Sequence, residues 1–132
     1  MSDMILPPSS DDGTLKPASY IARMTQMNIE AAARLGRRID LAPQYAAMLE
    51  VAGFVDVTVR RFKWPSNVWP RDKKYKEMGR WNFVNMSGGG LEGLTMAHFT
   101  HGLGLSREET EALCAGARRE MHDVRIHAYL TL

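Results

Sequence analysis

The chain has a single cysteine, Cys114, so no disulfide can form within it and a reducing, intracellular setting is the simpler expectation. It has no apolar run near the ~20 residues that a membrane span requires, and Met1 to Pro8 lacks a basic stretch ahead of a long apolar one. A cytoplasmic protein with no membrane span is therefore expected. Charge of one sign is missing as well: 17 Lys and Arg face 15 Asp and Glu, and a net charge of +2 leaves no electrostatic footprint for nucleic acid. No internal repeat or low-complexity tract is present. The glycines of Ser87-Gly88-Gly89-Gly90 follow no apolar strand and precede no Lys-Ser or Lys-Thr pair, so they read as a hinge or tight turn rather than a phosphate loop. At 132 residues the chain is expected to form one domain with one core.

What is present reads as helices with a little sheet. Pro7-Pro8-Ser9-Ser10-Asp11-Asp12-Gly13 is polar and turn-rich, which makes residues 1–17 an extended or mobile arm ahead of a single domain at 18–132. Ser19 can cap a helix with Ile21, Met24, Asn28, Ala31 and Leu35 on one stripe, in which Asn28 is the polar interruption, and Gly36 can end it. Asp40 and Pro43 suit the start of a second helix that closes at Gly53. Val55, Val57 and Val59 then alternate with polar residues, which predicts a strand over about 54–62. Trp64-Pro65 and Trp69-Pro70 favour an extended connection, and Asp72 can cap a helix from Lys73 to Asn85. Leu91, Leu94, Thr95, Phe99 and Leu103 suit another helix, and Ser106 with Glu109 makes the capping box of the last. Cys114 lies on the apolar stripe of that helix and reads as core more than as a nucleophile. The chain closes on a strand of period two over about 124–131. The fold class is α+β, mostly helical, with two antiparallel strands.

The order of these pieces resembles the C-terminal half of fungal LaeA-like, TAM-type S-adenosylmethionine methyltransferases. The residues that carry it are Asp11-Asp12-Gly13-Thr14-Leu15, Leu35-Gly36-Arg37, Ala52-Gly53-Phe54-Val55-Asp56-Val57, Trp64-Pro65 with Trp69-Pro70, Met78-Gly79, Phe99-Thr100 with Leu103-Gly104-Leu105-Ser106, and His127-Ala128-Tyr129. The resemblance implies that the two strands are the edge of a class I methyltransferase sheet. It also implies that residues 64–105 are a helical lid over the acceptor molecule. Such enzymes hold their methyl donor on a glycine-rich turn after the first strand, with an acidic residue on the ribose. Neither feature occurs ahead of Ala52. No cofactor is therefore expected, and methyl transfer by this chain alone is unexpected.

A sheet left without its neighbours exposes apolar edges, and a homodimer formed through the two strands, burying Val55, Val57, Ile126 and Leu130, would cover them. A monomer with helices on both faces is the rival arrangement. The lid is rich in aromatic and sulfur side chains, so Trp64, Trp69, Trp81, Phe83, Met86 and Phe99 are candidate contacts for an apolar natural product. Each can equally be plain core. His98 and His101, three residues apart on a helix, and His127 with Tyr129 on the last strand, are candidate polar or catalytic groups. No third ligand joins the histidines, so no metal site is expected. Three functions follow: a cofactor-free cyclase or isomerase of fungal secondary metabolism, of pericyclase or Diels-Alderase type; a non-catalytic partner subunit of a complete methyltransferase; or a split fragment of one.

Overall fold

The structure, a computed structural model, describes residues 2–132. Three short strands, β1 (Ile5–Ser9), β2 (Lys63–Pro65) and β3 (Tyr129–Thr131), form one antiparallel sheet in the order β1-β3-β2. The C-terminal strand is thus the central one, with Thr131 opposite Ile5 on one side and Lys63 on the other. The helices are α1 (Tyr20–Arg34), α2 (Tyr45–Val51), α3 (Lys73–Asn85), α4 (Leu91–Ala97) and α5 (Arg107–His122). The class is α+β, as the patterning predicts.

Three helix starts form where their capping residues stand. Ser19 accepts from the Ala22 amide at 3.1 Å, Asp72 from the Tyr75 amide at 3.1 Å, and Ser106 and Glu109 complete a reciprocal box. Asp40 does not cap α2: its carboxylate takes both Nε and Nη2 of Arg38, at 2.9 and 2.8 Å, and Pro43 opens a short helical turn instead. The start of α1 is also closed from across the fold. Glu120 of α5 accepts from the amides of Tyr20 and Ile21 at 2.8 and 2.9 Å, so two of that terminus's free donors are filled by an internal carboxylate.

The sheet departs from expectation at both strands. Residues 54–62 alternate correctly but form no strand, because Gly53 and Asp56 sit at φ 94° and 56° and turn the backbone away. Only at Phe62 does pairing begin, with two backbone bonds of 2.9 Å to Leu132, and β2 follows. Over 124–131, Asp123 accepts from the amide and guanidinium of Arg125 and folds the first residues into a turn, leaving β3 at its last three. Ile5–Ser9, expected as part of an arm, is extended and fills the other side of β3.

The buried centre is Met24 and Ala31 of α1, Phe99 after α4, and Cys114 and Ala117 of α5. Cys114 lies 3.4 Å from the Thr95 hydroxyl, and burial pushes its thiol above the usual range, which keeps it protonated and inert. Between α3 and α4 the chain turns at Gly88 and Gly89, the latter at φ 108°. Arg118 of α5 closes that turn, donating to the Ser87 carbonyl at 3.2 Å and pairing with Glu92 at 2.5 Å.

Candidate functional site

Where the sheet, α1, α3 and α4 meet they leave a cavity of about 500 Å³, within the range that holds drug-sized molecules. Its wall is mostly aliphatic and sulfur: Leu6, Ile21, Met24, Met86, Leu91 and Met121 are typical of it. The few polar groups on the wall are nearly all committed. Thr25, Thr95 and Ser66 donate their hydroxyls to the carbonyls of Ile21, Leu91 and Ala128 at 2.9, 2.7 and 3.0 Å. The Asn82 amide donates to the Pro65 carbonyl at 2.9 Å, and the Trp64 indole to the Met78 carbonyl at 3.2 Å.

Two groups remain. His98, half-buried at the C-terminal end of α4, has Nδ1 at 2.6 Å from Oδ1 of Asn28 on α1. With the amide oxygen facing it, Nδ1 is the donor, and the tautomer that makes this bond has its lone pair on Nε2. Neither Nε2 nor the Asn28 Nδ2 group makes a hydrogen bond among the described residues. In the sequence Asn28 is the polar interruption of an otherwise apolar helix stripe. That interruption was the available signal.

Of the site residues expected from sequence, Trp64, Met86, His98 and Tyr129 line this cavity together. The others lie elsewhere. His101 is exposed on the turn after α4, and Trp81 is 65% exposed on the outer face of α3. Phe83 packs edge-on against His122, with ring centres 4.6 Å apart, and Phe99 is wholly inside the core.

Trp69 and His127 serve the sheet end. Their rings stack at 4.8 Å, and the Trp69 indole donates to the Ala128 carbonyl at 2.9 Å. Here the loop after β1 acts as a clasp. Asp12 meets His127 Nδ1 at 2.5 Å, Thr14 takes the His127 amide at 2.8 Å, and Asp11 accepts from the Tyr129 hydroxyl at 2.6 Å while pairing with Lys63. Hydrogen bonds from the Thr14 hydroxyl and amide, and then from His127, draw the Asp12 carboxyl down to about 2. The Asp11 bond and burial push the Tyr129 phenol above its usual range. Tyr129 thus offers the cavity its ring, with its hydroxyl already held outside.

A second hollow of about 770 Å³ is an open groove between residues 57–62 and helices α2 and α3. None of the expected site residues lines it.

Over 122 residues the chain is 42% identical to the methyltransferase pytC of Aspergillus terreus, covering 90% of this chain and 36% of that protein. It is 32% identical over 123 residues to the secondary metabolism regulator LAE1 of Cochliobolus heterostrophus, covering 92% of this chain and 40% of the relative. Its homologues are fungal methyltransferases and LaeA-like regulators. A third, the probable methyltransferase tdiE of Emericella nidulans, is 29% identical over 129 residues, covering 98% of this chain and 40% of that protein. The chain therefore spans little over a third of the length of the relatives it matches. No family model and no solved structure matches it.

Methyltransferases of this kind take their methyl group from S-adenosylmethionine, which needs a glycine turn leading from a strand to an open helix start. The described residues do not fit it. The β1–α1 loop contains Gly13, but Asp11 and Asp12 are bound to Tyr129 and His127, and Glu120 and Ser19 fill the start of α1. No helix among the described residues is long and apolar enough to cross a membrane.

Proposed function

We propose that this chain is the acceptor-holding part of a methyltransferase-type protein of fungal secondary metabolism, and that it takes an apolar small molecule into the cavity beside β3. The observation that carries this is the wall itself: about 500 Å³ lined mostly by aliphatic and sulfur side chains, with its hydroxyls and the Asn82 amide donating to internal carbonyls. Water gains little there, and an apolar ligand gains the full transfer term. The fluorescent probe 1-aminoanthracene is expected to bind with a blue-shifted emission. Leu94 stands at the rim, 50% exposed, and Leu94→Trp is expected to weaken binding about tenfold with unchanged thermal unfolding. No binding, or binding indifferent to Leu94→Trp, would remove the cavity from the argument.

A cofactor-free isomerase or cyclase is the second reading. The free lone pair of His98 favours its proton-transfer form over a pericyclic one, which needs shape and a donor rather than a base.

The homodimer belongs to the same proposal and rests on residues 51–62, where Val51, Phe54, Val55, Val59 and Phe62 are 90, 61, 84, 57 and 57% exposed. This segment is self-complementary about Val57. In an antiparallel pairing with a second copy, Val55 meets Val59 on one face, and on the other Asp56 lies diagonal to Arg60. Straightening into a strand would also release Asp56 from φ 56° and extend the edge that β2 begins. Light scattering after size exclusion is expected to give twice the chain mass for wild type and the chain mass for Val57→Lys. A monomeric wild type would sink the dimer, and would leave the remainder of a methyltransferase as the occupant of this face.

A further inference from the structure

The cavity has one basic group on its wall, His98, and its chemistry is more specific than apolar binding. We infer that it selects a ligand carrying one acidic hydroxyl, a phenol or an enol, on an otherwise apolar skeleton, with His98 Nε2 taking the hydroxyl proton. This rests on the cavity reading above.

The donors of the wall hydroxyls and of the Asn82 amide are spent on backbone carbonyls, Tyr129 is spent on Asp11, and the Asp3 carboxylate already accepts from the Met4 amide and the Tyr45 hydroxyl, at 2.7 Å each. Asn85 lines the cavity at the end of α3, where it is exposed and open to water. That leaves Nε2 of His98 as the one basic nitrogen on the wall, beside Nδ2 of Asn28 as a donor, on side chains 2.6 Å apart at their hydrogen-bonded atoms. A ligand without a hydroxyl leaves the acceptor unpaired in an apolar wall, which carries a desolvation penalty. A hydroxyl satisfies it, and the adjacent Asn28 amide can donate back to the same oxygen.

The proton step balances without any further reagent. The O–H bond breaks, its electron pair stays on the ligand oxygen, and the proton forms an N–H bond at Nε2. The resulting imidazolium keeps its Nδ1–H on the Asn28 oxygen, so the positive charge is held by a hydrogen bond already in place. Asn28 is the positioning residue: it fixes which nitrogen is the base. The arrangement resembles a base-orienter pair in role, with a neutral amide where a carboxylate would make the ring more basic.

The test uses two probes of nearly equal size, naphthalene and 2-naphthol, whose excited state is a strong acid. Wild type is expected to bind both, preferring 2-naphthol about tenfold, the worth of one net hydrogen bond. Bound 2-naphthol is expected to emit as naphtholate, reporting proton transfer inside the cavity. In His98→Phe the preference and the naphtholate band are both expected to vanish while naphthalene still binds, which shows an intact fold. His98→Gln, which can accept a hydrogen bond but not a proton, is expected to keep the preference and lose the band. Asn28→Leu is expected to weaken the band with naphthalene affinity unchanged. Equal affinity for both probes in wild type, or a band that survives in His98→Phe, overturns the hydroxyl inference and leaves the cavity. Failure of both probes to bind overturns both.

Discussion

Gly79→Ala is expected to cost about 3 kcal/mol of unfolding free energy, a large part of the roughly 5–15 kcal/mol available to a domain. A methyl group at Gly79 would lie 1.9 Å from the Asn67 carbonyl oxygen and 2.7 Å from its carbon. These are backbone atoms and cannot rotate aside. Nor can the loop retreat as a unit, because Asn67 is 3% exposed and anchored at three points. Its amide donates to the Met121 and Asp123 carbonyls at 3.0 and 3.2 Å, and its oxygen accepts from the Trp69 amide at 2.9 Å. Asn82, one turn along α3, grips the Pro65 carbonyl as well. Relief must therefore come by moving α3 from β2 or by breaking buried hydrogen bonds, and each broken one leaves an unsatisfied group at about 1–3 kcal/mol. Gly88→Ala is the control, since a methyl there meets nothing within 4 Å and the backbone is at φ −81°. Urea unfolding of the three proteins measures this; a Gly79→Ala midpoint equal to wild type would mean the contact is not maintained in solution.

The Met78-Gly79 pair was visible in the sequence as part of a family resemblance, but its reason was not. Local signals carried far: Ser19, Asp72 and the Ser106–Glu109 box each act within a few residues of themselves, and their helices begin beside them. Strands do not announce themselves in that way. The alternation of Val55, Val57 and Val59 is the same whether or not a partner strand is at hand, and here the partner begins only at Phe62. Ile5–Ser9 was concealed from the other direction, because Pro7 and Pro8 hide a strand whose pairing lies at the far end of the chain. The site follows the same division. Trp64, Met86, His98 and Tyr129 could be named by type, but Asn28 needed the packing of α1 against α4 to meet His98.

Phe99→Ala is expected to be the most damaging single truncation, at about 3–5 kcal/mol, and it also decides what aromatic residues in the lid are for. Phe99 has no exposed surface and lies among Met24, Ala31, Cys114 and Ala117, so removing its ring empties the junction of α1, α4 and α5. The neighbours cannot collapse into that space freely. Gly102, one turn on, already stands so close that a methyl there would meet the Ala31 carbonyl oxygen at 2.8 Å, which fixes the approach of the α4 end to α1. Trp81→Ala removes a larger ring from a surface 65% exposed, and is expected to change stability by no more than about 0.5 kcal/mol. Size and aromatic character therefore do not rank these residues; direction does. The two measurements needed are unfolding free energy and 1-aminoanthracene affinity. Phe99→Leu, which keeps most of the volume, is expected to recover much of the stability and to bind the probe as wild type does. If Phe99→Leu instead retained full stability and lost the probe, Phe99 would be a wall of the cavity rather than the core beneath it, and the boundary drawn between the two would have to move.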